Sequence, residues 1–180
     1  MPMNRRDFIK ASAIFTTSII LPSTTLAKGY EKSLNLYNIH TGEKLRTTYW
    51  ANGEYIYDEI ANLEYFLRDY HNDEVHKIDV NLIEYLHDVY NLLGRPGEIY
   101  VISGYRSPQT NYMLRLHNRG VAKHSYHVKG RAIDIRIPAV HLSTLRYAAL
   151  SLHRGGVGYY PRSNFVHIDT GKPRAWRFPK

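Results

Sequence analysis

The pattern of apolar and polar positions divides the chain into short, distinct segments. An apolar run from Ala11 to Leu21 shows no polar face at helical period. Further on, Leu34, Leu36 and Asn38 alternate with their neighbours around Thr41-Gly42, which predicts a hairpin across residues 33–50. Ile56, Ile60, Leu63 and Leu67 then recur at helical spacing and predict a helix from Tyr55 to about Tyr70. A second helix is expected from Asp79, a good N-cap residue, to Leu93, with Gly94 as its stop and Pro96-Gly97 as the following turn. "EIYVISG" reads as a strand, Glu98 to Ser103, ended by Gly104, after which Ser107 can cap a helix whose first residue is Pro108.

The second half of the chain continues in the same way. A polar loop, "VAKHSYH", leads into "RAIDIRI", where strand alternation puts Ala132, Asp134 and Arg136 on one face and Ile133, Ile135 and Ile137 on the other. A helix from His141 to about Leu152, "GGVGYY", a turn at "PRSN" and a last strand, "FVHIDT", complete the pattern. No repeat, low-complexity tract or linker interrupts residues 28–180, so a single α+β domain is expected there.

The first apolar run belongs to a different kind of segment. Twin arginines at Arg5 and Arg6, Phe8-Ile9, Lys10, a modest apolar stretch, Pro22 and small residues ending at Ala27 follow the order of a signal peptide. The stretch is too short and too rich in Ser and Thr to span a bilayer, so no stable membrane insertion is expected after export. The segment resembles a twin-arginine export signal over residues 1–27, which implies the twin-arginine translocon as a partner and a periplasmic location. Such signals serve proteins that cross the membrane already folded.

Composition narrows the chemistry. With 24 Lys+Arg against 16 Asp+Glu the net charge is +8, which favours an acidic partner such as nucleic acid, anionic lipid or an anionic wall polymer. The signal segment contributes only Arg5, Arg6 and Lys10 against Asp7, so the basic character belongs to the domain that follows. No Lys/Arg run exceeds two residues and the tyrosines are scattered, so no nucleic-acid footprint is visible. The chain has no cysteine, which excludes disulfides and thiolate metal sites. Any metal must be held by His, Asp or Glu.

"SYHVKGRAIDIRI", Ser125 to Ile137, raises that possibility. Seven residues separate His127 from Asp134, about 23 Å in a strand and about 10 Å in a helix. Both spans are too long for a shared metal ion, so the chain must reverse between them, and Lys129-Gly130 is the available turn. If the strands are neighbours, His167 on the final strand can join the pair, giving two imidazoles, a carboxylate and an open position of the kind found in catalytic zinc sites. The same residues also admit a plainer reading, a surface histidine and an Asp134 paired with Arg131 or Arg136.

"SGYRS" (Ser103 to Ser107), "SYHVKGRAID" (Ser125 to Asp134) and "FVHID" (Phe165 to Asp169) together resemble the M15-type zinc peptidases, the LAS group of D-alanyl-D-alanine peptidases and murein endopeptidases. The resemblance is strongest to the exported MepK/YcbK-type murein endopeptidases and covers roughly Tyr100 to Thr170. It implies a small antiparallel sheet with helices packed on one side, the Hedgehog-like LAS fold. It also implies Zn2+ as cofactor with His127, Asp134 and His167 as ligands, Arg106 contacting a substrate carbonyl or carboxylate, and Ser125 helping to bind substrate.

One position departs from the family pattern. Many relatives place an acidic base three residues before the last histidine, where this chain has Asn164. An amide cannot take a proton at neutral pH, which leaves Asp169 or His124 as candidate bases, or as groups that orient a ligand imidazole.

The implied activity is hydrolysis of peptide cross-links in murein, including those between two diaminopimelate residues. A D,D- or L,D-carboxypeptidase acting on stem peptides is an alternative, as is a zinc-stabilised wall-binding module without turnover.

Overall fold

A computed structural model describes residues 30–117 and 120–178; the expected signal segment, 1–27, lies outside the described residues. The strands are β1 (Glu31–Asn38), β2 (Lys44–Ala51), β3 (Glu54–Tyr55), β4 (Ile99–Ser103), β5 (Ala132–Arg136), β6 (Gly156–Tyr160), β7 (Phe165–Asp169) and β8 (Arg174–Arg177). The helices are α1 (Tyr57–Phe66), α2 (Val80–Leu92), α3 (Pro108–His117) and α4 (Leu142–Ser151).

All described strands join one eight-stranded sheet in the order β3-β2-β1-β4-β5-β7-β6-β8. This corrects the expectation of a small antiparallel sheet: the class is α+β, but the sheet is larger and mixed. The short turns after β1 and β6 force antiparallel pairs, whereas α1 and α2 lie between β1 and β4 in the chain and let β4 run parallel to β1. At the other edge β8 runs parallel to β6, because the chain leaving β7 passes to the far side of β6.

Alternation along the strands divides the sheet into two faces. Leu34, Leu36, Tyr49, Ile99, Val101, Ile133, Ile135, Val157, Val166 and Ile168 are buried on one of them. They form a single apolar cluster with Ile60, Leu63 and Phe66 of α1, Leu82, Leu86 and Val89 of α2, and Leu145 and Ala149 of α4. Burying each large side chain contributes about 1.5–3 kcal/mol, which fixes the strand register and thereby decides what the opposite face displays.

The element boundaries follow local chemistry. Asp79 caps α2 by accepting a hydrogen bond from the Asn81 N–H at 3.0 Å, and Ser107 caps α3 by accepting one from the Thr110 N–H at 3.1 Å. β4 carries a register shift between Val101 and Ser103, so that Ser103 pairs with Asp134 instead of continuing the core face. This irregularity delivers Ser103 to the functional side of the sheet.

Candidate metal centre and active site

His127 lies in a single 3-10 turn, Tyr126–Lys129, between the polar loop and β5. The Ser125 hydroxyl caps this turn by accepting the His127 N–H at 3.3 Å. Gly130 ends the turn at φ +62°, and a Cβ there would collide with the Lys77 carbonyl, so the residue type and the reversal are coupled. The chain then enters β5, where Asp134 sits directly opposite His167 of β7.

The reversal and the register bring three donor atoms to one point. His167 Nδ1 lies 2.8 Å from Asp134 Oδ1, and His127 Nε2 lies 3.1 Å from His167 Nδ1 and 3.2 Å from Asp134 Oδ1. All three side chains are buried. The outer ring nitrogens set the tautomers. His127 Nδ1–H donates to the Gly104 carbonyl at 2.7 Å, and His167 Nε2–H donates to Asp169 Oδ2 at 3.0 Å. Two lone pairs and a carboxylate oxygen therefore face one another, an arrangement that repels itself unless a cation or a proton lies among them. Two nitrogens and one oxygen at this spacing are a donor set that fits zinc.

The local charges treat the two imidazoles differently. Burial and the nearby Arg106 guanidinium push His127 down to about 4, so its inward lone pair is free at neutral pH. Burial opposes protonation of His167 as well, but its hydrogen bonds to Asp134 and Asp169 outweigh that and raise it, so without a metal a proton on Nδ1 fills the place between His167 and Asp134 that a cation would take. Asp134 is held well below the usual carboxylate range; burial acts against this, and His127, His167 and Arg106 overcome it.

Arg106 reaches the centre from the corner between β4 and α3. Its Nη2 donates to Asp134 Oδ2 at 2.6 Å and its Nε to Ser103 Oγ at 2.8 Å. Asp134 therefore pairs with Arg106, while Arg131 is turned toward Asp79 and Thr170. The corner is clamped by Asp69, whose Oδ2 accepts the Ser107 N–H at 2.9 Å, and by the Tyr105 N–H donated to the Leu67 carbonyl at 2.8 Å.

Asp169 is fully buried and saturated with donors. Besides His167 it accepts both Arg174 nitrogens, at 2.7 and 3.0 Å, and the N–H groups of Gly171 at 2.8 Å and Gly156 at 3.3 Å. Although burial raises its pKa, these donors lower it far more. A carboxylate so engaged and out of contact with water suits orientation of His167 better than proton exchange.

The centre forms the wall of a cleft of about 370 Å3, also lined by Tyr70, His124, Ser125, Tyr160 and Trp176. The Trp176 ring packs 5.2 Å from that of His167. It can lie there because its neighbour across the β6–β8 pair is Gly158; a Cβ on that glycine would approach the indole to 2.6 Å.

The structure thus brings His127, Asp134, His167 and Arg106 together, with Ser125 capping the turn that carries His127 and exposed His124 on the cleft lining. Asn164 stands apart. It occupies the β6–β7 turn at φ +54°, a conformation that suits asparagine, and it does not line the cleft. Sequence reasoning missed the Gly104 carbonyl, Ser103, Arg174, Trp176 and Tyr160. The glycines of "GGVG" within a strand were the available signal of a close approach.

Comparison with known proteins gives the chain its family. The family model described as "Peptidoglycan L,D-endopeptidase MepK", of the M15 peptidases, matches residues 27–176. The chain belongs to this family. It is 46% identical over 176 residues to the peptidoglycan L,D-endopeptidase MepK of Escherichia coli (strain K12), covering 96% of this chain and 97% of that protein. Against the probable peptidoglycan L,D-endopeptidase MepK of Haemophilus influenzae it is 43% identical over 178 residues, covering 97% and 96%. No solved structure gives a significant match. Every residue of the candidate centre lies within the stretch that this M15 family spans.

Proposed function

We propose that this peptidoglycan endopeptidase is a zinc enzyme in which His127, Asp134 and His167 hold the metal, and that it has the LAS fold. The observation that carries the reading is the meeting of two imidazole nitrogens and a carboxylate oxygen within 3.2 Å on the wall of a cleft. Zinc bound there supplies Lewis-acid chemistry, polarising a carbonyl and lowering the pKa of water toward about 7.

The chain's own residues supply the rest. The Gly104 carbonyl and Asp169 hold the two imidazoles in the tautomers that point lone pairs inward. Arg106 neutralises the outer oxygen of Asp134 and offers its remaining N–H groups to the substrate carbonyl or a substrate carboxylate. Ser125 keeps the His127 turn closed and lines the cleft where substrate would bind. With Asn164 outside the cleft lining and Asp169 saturated, exposed His124 on that lining is the remaining candidate to take a proton from water and pass it to the leaving amine.

The relatives' L,D designation favours a bond between an L centre and a D centre, as in a cross-link joining two diaminopimelate residues. Purified protein with zinc is expected to release soluble muropeptides from intact sacculi and to convert cross-linked dimers to monomers, with EDTA stopping both. Pelleting with sacculi without release would instead identify a wall-binding module, and trimming of stem ends alone a carboxypeptidase.

Residues 1–27 act in this reading as a twin-arginine signal that delivers residues 28–180 to the periplasm through the twin-arginine translocon. Replacing Arg5 and Arg6 with lysine should leave the protein in the cytoplasm; unchanged export would exclude the route.

A further inference from the structure

We propose that Tyr160 is a further catalytic residue, whose phenolic O–H donates a hydrogen bond to the scissile carbonyl oxygen as negative charge develops on it; this rests on the endopeptidase reading above. Tyr160 ends β6 and is paired in register with Phe165, two residues from His167 on the same face of β7. It lines the cleft beside His167 and Arg106.

Its ring is held on several sides. Phe165 stacks on it with centroids 4.4 Å apart and Phe178 at 5.5 Å. The Trp176 indole N–H donates to the Tyr160 oxygen at 3.0 Å, while the same indole packs against His167. A phenol oxygen that already accepts one hydrogen bond in a fixed direction has its own hydrogen left to give, and among the described residues no hydrogen bond from the Tyr160 hydroxyl occupies it. The group is therefore ordered before substrate arrives, as electrostatic stabilisation of a transition state requires.

Arg106 spends Nε on Ser103 and one Nη2–H on Asp134 and keeps its remaining N–H groups for substrate, so Tyr160 adds an uncharged donor to the same cleft. Tyr70 is the competing phenol in the cleft. It is stacked on His40 and His71 at 3.9 and 4.1 Å, but among the described residues no donor fixes the direction of its hydroxyl in the way Trp176 fixes that of Tyr160.

The test is Tyr160→Phe, which keeps the ring and its stacking, assayed with zinc on a purified cross-linked muropeptide dimer alongside the parent protein. The expected result is a fall in kcat of about 100-fold, the scale of losing one oxyanion donor, with KM within about twofold of the parent and bound zinc unchanged. Retention of kcat within about threefold, or a loss confined to KM or to zinc content, overturns the role of Tyr160. An inactive parent protein would sink the endopeptidase reading itself, so the two failures are distinguishable.

Discussion

At the scale of single residues, the centre depends on which nitrogen of each imidazole carries its proton. His167 keeps Nδ1 free only because Asp169 accepts from Nε2, and Asp169 stays charged because Arg174 and two backbone N–H groups surround it. Asp169→Asn preserves the shape but can present an amide N–H to His167, which favours the wrong tautomer. Zinc affinity should fall by about 10–100-fold, the usual cost of losing a group that orients a metal ligand. Chelator competition measures this directly, and unchanged affinity would show that Asp169 does not orient His167. "SYHVKGRAID" and "FVHID" let the three side chains converge only on the condition that their strands are neighbours, and it was the family resemblance, not the spacing, that implied the set. The Gly104 carbonyl was not legible, because a backbone acceptor carries no residue-type signal.

At the scale of elements, Arg106 is only as well placed as the corner between β4 and α3 that carries it. Asp69 holds that corner through the Ser107 N–H, and its pKa is lowered: burial opposes this, but hydrogen bonds from Thr110, Ser107 and His71 outweigh it. A carboxyl whose folded pKa lies below its unfolded value, about 3.9, adds stability that is present above the unfolded pKa and is lost as pH falls through the folded one. Asp69→Asn should therefore destabilise the protein most at neutral pH, and the difference in urea midpoint from the parent should close as pH falls from about 5 toward 2. A difference that stays constant over that range would contradict the assignment. The helix starts were legible because caps are written into the sequence, as with Asp79 and Ser107. β8 was not, because its four residues alternate no core positions and most of it is exposed.

At the scale of the whole molecule, the sheet separates two tasks. One face buries Ile133, Ile135, Val166 and Ile168 under the helices, and the other displays Asp134, His167 and Trp176 in one row across β5, β7, β6 and β8. The mixed topology was beyond sequence reading, since strand order depends on long-range pairing such as that of β1 with β4, which no local pattern encodes. A ligand that binds only this folded arrangement stabilises it by mass action. Zinc should thus raise the unfolding temperature of the parent protein and leave that of His127→Ala nearly unmoved.

The most direct measurement is elemental analysis of protein purified after zinc loading and exhaustive dialysis, for the parent chain and for His127→Ala. The account predicts a single equivalent of zinc on the parent and far less on the variant. A parent chain that retains no zinc while fully folded, or a variant that retains as much as the parent, would contradict it.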